Sequence, residues 1–164
     1  MEVDNWEVFV PGLLTFNSGR AFATGATPYF IGNIGEPTAG RLMMRLTIEG
    51  QPLLAAVDTG TPFVICHPDL AESLRLTLTD PLEKTRLLIR GIEYRGQTYL
   101  MSAEIVADDG DDISLTVIVF IPQLDPGQAW TLPSFVGLEG MLQRIRFAID
   151  PETSLFYFGP LGDG

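Results

Sequence analysis

One acidic residue, Asp58, stands in a setting that is typical of functional carboxylates. It follows directly on the apolar run at 53–57, which is predicted to be a buried strand, and it precedes Thr59 and Gly60. A carboxylate so close to a buried segment costs free energy unless it is hydrogen-bonded or takes part in chemistry. Gly60 allows a tight turn, since a residue without a Cβ lets the backbone approach another group closely. A simple turn explains the same tripeptide without any chemistry, and the choice between the two depends on the rest of the chain.

The remaining reactive side chains offer few other sites. Cys66 and His67 are the only residues of their types, and neighbours on a strand point to opposite faces, which disfavours a Cys–His dyad. The sequence has no Gly-x-Ser-x-Gly motif for a nucleophilic serine and too few ligands for structural zinc. The acidic stretch at 108–112 lacks the spacing of a calcium-binding EF-hand loop. We therefore expect no metal and no cofactor.

Composition argues against several kinds of partner. Ten Lys and Arg residues face 21 Asp and Glu residues, which gives a formal net charge of −11. Nucleic acids and anionic membranes bind clustered cations, so we expect neither as a partner. One cysteine permits no internal disulfide, the first residues lack a signal-peptide pattern, and no run reaches the ~18 apolar residues that span a bilayer. We expect a soluble, cytoplasmic protein.

The elements that would position Asp58 are mostly short strands. Between 41 and 49, apolar residues such as Met44, Leu46 and Ile48 alternate with other residues, which predicts a half-buried strand, and a turn follows at Gly50 and Gln51. Short helices are predicted at 67–74 and 138–143. Further strands are predicted at 53–57, 63–66, 84–90, 97–106, 113–121, 146–150 and 155–158. The pattern predicts an all-β barrel or sandwich.

The first 40 residues differ from the rest, because frequent Gly and Pro favour turns over long elements, with one short strand predicted at 8–10. An arm, an added strand and a removable leader all remain open for residues 1–40. We predict a single folded domain at 41–164.

Three features together resemble the retropepsin-like aspartic peptidases, of the bacterial type with one Asp-Thr-Gly per chain. The first is Asp58-Thr59-Gly60 between hydrophobic strands. The second is Phe135-Val136-Gly137, two apolar residues and a glycine before a predicted short helix. The third is a hairpin between them, with its tip predicted at 91–96, where the family carries the flap that closes over substrate. The resemblance covers roughly residues 41 to 159.

The resemblance implies a closed β-barrel of the acid protease fold, with one or two short helices, and a homodimer in which Asp58 meets Asp58 of a second copy. It assigns catalysis to Asp58, with Thr59 bracing the twin loop and Gly60 offering its N–H near the carboxylates. The Thr61 hydroxyl is expected to donate to Asp58, which would stabilise the charged form and favour activity at acidic pH. Neither metal nor cofactor is implied.

The substrate implied by the resemblance is an extended peptide or protein segment with apolar side chains at the scissile bond. Beside Thr61, the residues expected to contact it are Ile92 and Tyr94 of the hairpin and Val136 and Gly137. One departure affects the dimer: Leu138 follows Gly137 where retroviral members have Arg, so Arg144 or Arg146 would have to take that place. The alternative is a catalytically silent module of this fold that binds a peptide or serves in assembly.

Overall fold

The structure is a computed structural model that describes residues 13–33, 40–74 and 80–162. These residues form an all-β fold with one α-helix and one 3-10 helix, which confirms the predicted fold class. The helices are α1 (Pro68–Ser73) and the 3-10 helix at Leu142–Arg144. The strands are β1 (Gly25–Pro28), β2 (Phe30–Gly32), β3 (Arg41–Ile48), β4 (Gln51–Val57), β5 (Val64–Ile65), β6 (Glu83–Ile89), β7 (Ile92–Ile105), β8 (Asp109–Gly110), β9 (Ile113–Gln123), β10 (Ser134–Val136), β11 (Ile145–Asp150) and β12 (Leu155–Pro160).

The β3–β4 hairpin brings the strand before Asp58 into the core. Its alternating residues Met44, Leu46 and Ile48 are buried in one large apolar cluster, as the period of two predicts. The turn lies at Glu49 and Gly50, one residue earlier than predicted, and both have positive φ values, 49° and 75°. Two positive φ values in a two-residue loop match the twist of the flanking strands. This turn fixes the register of every pair between β3 and β4.

Eight strands form one sheet in the order β2-β3-β4-β10-β5-β9-β7-β6. An additional pairing of β3 with β7, through Thr47–Glu104 and Ile48–Ala103, closes a ring of six of these strands. The short β10 is one of the six strands of this ring, and it runs parallel to β4 and antiparallel to β5. The main apolar cluster includes residues from the strands of this ring.

A second sheet of four strands has the order β11-β12-β1-β8. Strand β1 comes from the first 40 residues and pairs antiparallel with β12, Gly25 opposite Phe158. A Cβ at Gly25 would lie 2.6 Å from the Phe158 ring, so glycine permits this close packing. This pairing agrees with an added strand for residues 25–28, while the division of the chain at residue 40 stays a prediction. The strand predicted at 8–10 lies outside the described residues.

The hairpin of β6 and β7 has a tighter tip than predicted. Pairing continues to Ile89 opposite Ile92, so the loop consists of Arg90 and Gly91 alone, with φ values of 52° and 79°. The expected tip at 91–96 was therefore wrong, because most of it is strand. Gly96 had suggested a loop, yet it is needed for packing: a Cβ there would lie 2.3 Å from the Ile121 carbonyl oxygen.

Helix α1 confirms the prediction at 67–74, with Pro68 in the first turn and the His67 ring accepting a hydrogen bond from Asp69 N–H at 3.2 Å. The helix predicted at 138–143 was mostly wrong. There, Leu138 N–H and Gly140 N–H donate to carbonyls at 61 and 62, so only a 3-10 turn forms at Leu142–Arg144. Within the described ranges, no helix has the length and apolar character needed to cross a membrane.

Candidate active site

Asp58 lies immediately after β4, at the point where β4 and β10 run side by side. Val57 pairs with Val136, and Asp58 N–H donates to the Val136 carbonyl at 3.0 Å. The Asp58 side chain is 33% exposed. The apolar strand thus ends with its carboxylate partly accessible at the surface of the ring.

Backbone amides hold the Asp58 loop. Gly60 N–H donates to Asp58 Oδ1 at 2.9 Å, and Thr61 N–H donates to the Asp58 carbonyl at 3.1 Å. The amide role expected for Gly60 is therefore present within one chain. Thr61 had been expected to donate to Asp58 through its hydroxyl. Among the described residues, Thr61 instead donates to Asp58 through its amide. Thr59 is exposed, and its expected role toward a twin loop stays a prediction.

Val136 and Gly137 fix this loop from the neighbouring strand. Val136 is fully buried. A Cβ on Gly137 would lie 2.1 Å from the Phe63 carbonyl oxygen and 2.5 Å from that of Thr61. Leu138 N–H donates to the same Thr61 carbonyl at 2.7 Å. These residues hold the backbone around Asp58, and any contact of Val136 or Gly137 with substrate remains a prediction.

Arg41 faces Asp58, which the sequence reasoning missed. The Arg41 guanidinium lies 3.8 Å from Asp58 Oδ2 and 5.8 Å from the centre of the Phe135 ring. Its Nε is buried and has no hydrogen-bond partner among the described residues. The position of Arg41 could have been found from the register of the β3–β4 hairpin. With Ile48 opposite Gln51, counting away from the turn along both strands brings position 41 level with position 58.

An open cavity of about 290 Å³ lies over Asp58. One side comes from the Asp58 loop and its neighbours, which include Gly60, Thr61 and Pro62. The other side comes from the end of the β6–β7 hairpin, which contributes the run of four residues from Leu87 to Arg90. Arg41, Ile65 and Phe135 complete the lining. The hairpin therefore faces Asp58 across this open cavity.

The two hairpin residues expected at the substrate lie elsewhere in the single chain. Ile92 is at the tip and 51% exposed, whereas Tyr94 is only 2% exposed and packs edge-on against Trp130, with ring centres 4.9 Å apart. Neither lines the cavity over Asp58. The opposite strand of the same hairpin lines it instead, because the true tip lies at Arg90 and Gly91. Sequence reasoning placed the tip too late and therefore named residues of β7, whereas β6 lines this cavity. Any contact of Ile92 or Tyr94 with substrate remains a prediction.

The two arginines weighed as dimer braces contact their own chain. Arg144 donates to the Glu139 carbonyl at 3.3 Å and to the Thr116 carbonyl at 3.0 Å. Arg146 lies over the Phe16 ring, 5.4 Å from its centre. These contacts secure the segment after Gly137, and a role between subunits stays a prediction for both.

Cys66 and His67 lie in environments that suit structural roles. Cys66 is fully buried, and burial raises the pKa of its thiol from 9.0 to about 12, so the nucleophilic thiolate is suppressed. His67 caps helix α1. Within the part of the chain that the structure describes, no group of three or more His, Cys, Asp or Glu side chains is arranged to hold a metal ion.

Comparison with known proteins supports the fold. The sequence matches no protein-family model and no curated protein. The structure is similar to the crystal structure of a retropepsin-like aspartic protease from Rickettsia conorii, with a TM-score of 0.52. The two share 19% sequence identity, and the match covers 84% of this chain and 94% of the other. At this level of identity the similarity shows a retropepsin-like fold.

Proposed function

We propose that the protein is an aspartic endopeptidase whose active site is completed by a second copy of the chain. The observation that carries this proposal is the position of Asp58, on a loop held by backbone amides and facing a hairpin across an open cavity. The similarity to a retropepsin-like aspartic protease supports it. The catalytic assignment of Asp58, Thr59 and Gly60 belongs to this proposal.

A second copy is needed because the chain has one Asp-Thr-Gly motif. A single carboxyl group cannot at once take a proton from water and donate one to the scissile carbonyl. A two-fold axis beside the loop would bring two identical carboxylates together. The partial exposure of the Asp58 side chain, together with the exposed Thr59, leaves this face accessible to a twin loop.

In the proposed mechanism, the paired carboxyl groups share one proton, because two adjacent like charges cannot both ionise easily. The ionised group takes a proton from a bound water, whose oxygen attacks the peptide carbonyl. The protonated group donates its hydrogen to the carbonyl oxygen. Collapse of the tetrahedral intermediate breaks the C–N bond as the leaving amine receives a proton. No bond forms between enzyme and substrate.

The proposed substrate is an extended peptide segment. Ile65, Leu87, Ile89 and Phe135 give the cavity apolar walls, which suit apolar side chains at the scissile bond. The hairpin can close over such a segment by local motion. We also propose that the enzyme acts in the cytoplasm, where Cys66, a free thiol, stays reduced.

The test compares the wild type with Asp58→Asn on a library of apolar peptides at acidic pH. Removing the carboxylate should lower kcat/KM by at least about 1000-fold, since no other group takes its part. Asp125→Asn makes the same change at an exposed loop residue away from the cavity and should keep wild-type activity. A pepstatin-like transition-state mimic should inhibit the wild type.

Sedimentation should show a dimer. Activity should rise more steeply than in proportion to the concentration of the protein. A wild type that cleaves nothing, does not bind the mimic and stays monomeric would contradict the proposal. Binding of peptides without cleavage by wild type and Asp58→Asn alike would favour the silent peptide-binding or assembly module.

A further inference from the structure

A cluster of positive charge lies on the β6–β7 hairpin, on the face opposite to that of Leu87. Lys84, Arg86 and Arg95 line an open cavity of about 320 Å³ whose lining contains no carboxylate. Lys84 and Arg86 are two positions apart on β6 and so share one face, and Arg95 of β7 lies directly opposite Arg86. The cluster is opposite in sign to the net charge of −11 on the whole chain.

The direct opposition of Arg86 and Arg95 is unfavourable by itself. The Cβ atoms of residues paired across two strands lie about 4.5–5.5 Å apart, and like charges in such a pair destabilise it. One carboxylate lies beside both arginines: Glu93 Oε1 is 3.7 Å from Arg86 Nη1 and 3.7 Å from Arg95 Nε. Both distances exceed the length of about 2.7–2.9 Å that is typical of a strong charge-assisted hydrogen bond. The two guanidinium groups therefore share a single oxygen, and share it loosely.

These side chains are accessible from solvent. Those of Arg86 and Arg95 are 66% and 61% exposed, and that of Glu93 is 50% exposed. Lys84 is exposed and has no ion pair within the described residues. Exposed ion pairs are weak in water. A stronger anion can therefore displace Glu93 from the two arginines at small cost.

The charge and the donors of this cluster match a phosphate group. Three cations beside one carboxylate leave an excess of two positive charges. A phosphate group carries a charge of about −1.5 to −2 at pH 7 and offers three acceptor oxygens, and guanidinium groups bind it through two parallel hydrogen bonds. A carboxylate carries a single charge and two oxygens, and Glu93 already supplies one of that kind. A phosphate group is therefore the better complement.

We propose that Lys84, Arg86 and Arg95 form a binding site for a phosphate group, either free as phosphate or pyrophosphate or carried by a phosphoserine side chain. The bound group would bridge β6 and β7 next to the run at 87–90, which lines the cavity over Asp58. It would thus brace the hairpin that faces the candidate active site. The cluster lies within a single chain, so the proposed site does not depend on peptidase activity.

The first experiment measures binding to the wild-type protein by calorimetry at constant ionic strength, because salt screens exposed charges. The ligands are phosphate, pyrophosphate, a short phosphoserine peptide and its glutamate twin. The phosphoserine peptide should bind at one site and at least about fivefold more tightly than the glutamate twin. A peptide that binds about tenfold more tightly than free phosphate would assign the site to phosphoproteins, and equal affinities would assign it to small anions. Equal binding of the phosphoserine and glutamate peptides, or no saturable binding of any ligand, would overturn the proposal.

The second experiment uses matched variants with pyrophosphate as the ligand. Arg86→Gln and Arg95→Gln should each weaken binding about tenfold. Arg45→Gln makes the same change outside this cavity and should keep the wild-type affinity. Glu93→Gln removes the competing carboxylate and should strengthen binding about threefold or more, a gain that partial unfolding cannot produce. Unchanged affinity in both Arg86→Gln and Arg95→Gln would contradict the assignment.

Thermal unfolding tests whether the anion braces the folded hairpin. A ligand that binds only the folded state raises the midpoint of unfolding, so pyrophosphate should raise it in the wild type and not in a variant with both Arg86→Gln and Arg95→Gln. An equal rise in the two proteins would place the anion elsewhere and refute the site. Phosphate binding without peptide cleavage would contradict the peptidase alone, and cleavage without phosphate binding would contradict this site alone.

Discussion

The Asp58 loop and the β6–β7 hairpin line the same cavity but are held by different kinds of contact. The loop is fixed by main-chain hydrogen bonds from Gly60 and Thr61 and by the absence of a side chain at Gly137. The hairpin is held by buried side chains such as Tyr94, whereas a Cβ added at Gly91 of its tip would meet no atom within 4 Å. A side chain can therefore be added at Gly91 much more freely than at Gly137, which holds the Asp58 loop.

The largest contrast is expected between two glycines. Gly137→Ala places a Cβ 2.1 Å from a backbone carbonyl oxygen, so the strand or the Asp58 loop must move. We expect a loss of at least about 4 kcal/mol in the free energy of unfolding, or failure to fold. Gly91→Ala meets no atom within 4 Å and has only its φ of +79° to oppose it, which costs about 1–2 kcal/mol. Urea unfolding of both variants measures the difference, and similar midpoints would show that the loop is not the more constrained region.

The next contrast concerns thiol reactivity in the core. The pKa of Cys66 is raised from 9.0 to about 12 by burial, so the folded state holds the proton over a range where the unfolded state releases it. At about pH 9 roughly half of the unfolded thiols but only about one in 1000 of the native ones are ionised, so the native thiol should react with iodoacetamide about 500-fold more slowly than the thiol unfolded in urea. The linked stability is fully present below pH 9.0 and is lost as the pH rises toward about 12. Mass spectrometry of alkylation over time checks this, and equal rates in both states would contradict a closed core around β5.

The smallest contrast lies within the hairpin itself. Leu87 packs against a buried cluster, whereas Leu88 is 76% exposed. Leu87→Ala should lower the free energy of unfolding by about 1–2 kcal/mol, below the range for a fully buried leucine, and Leu88→Ala should change it by less than about 0.5 kcal/mol. Denaturant titration of the pair tests the assigned faces of β6. A larger loss of stability for Leu88→Ala than for Leu87→Ala would contradict the assignment of Leu87 to the face of β6 that packs against the core.

Local patterns predicted much of this fold. The alternation before Glu49 identified β3, the apolar run before Asp58 identified β4, and Pro68 marked the start of α1. Each of these signals depends on residues close together in sequence, where periodicity and turn chemistry act directly. The sequence also identified Asp58 as the residue around which the candidate site is built.

Local patterns gave wrong or incomplete predictions where contacts between residues distant in sequence determine the structure. Gly96 resembled a turn residue but serves to let β7 approach Ile121. The α-helix predicted at 138–143 does not form, because the Gly140 amide donates to a carbonyl at position 62. Arg41 gave no local sign of its position beside Asp58 and becomes visible only when the register of the β3–β4 hairpin is known. A one-residue error in the turn was enough to hide it.

The pairing of β1 with β12 has a consequence for how the protein reaches its folded state. Gly25 and Phe158 are far apart in sequence, so the four-stranded sheet depends on contacts of very high separation, which form slowly. During synthesis, β1 would wait without its partner until nearly all of the described chain had left the ribosome. A truncation at residue 40 would strip β1 from between β12 and β8 and leave the unpaired edge of β12 open to aggregation.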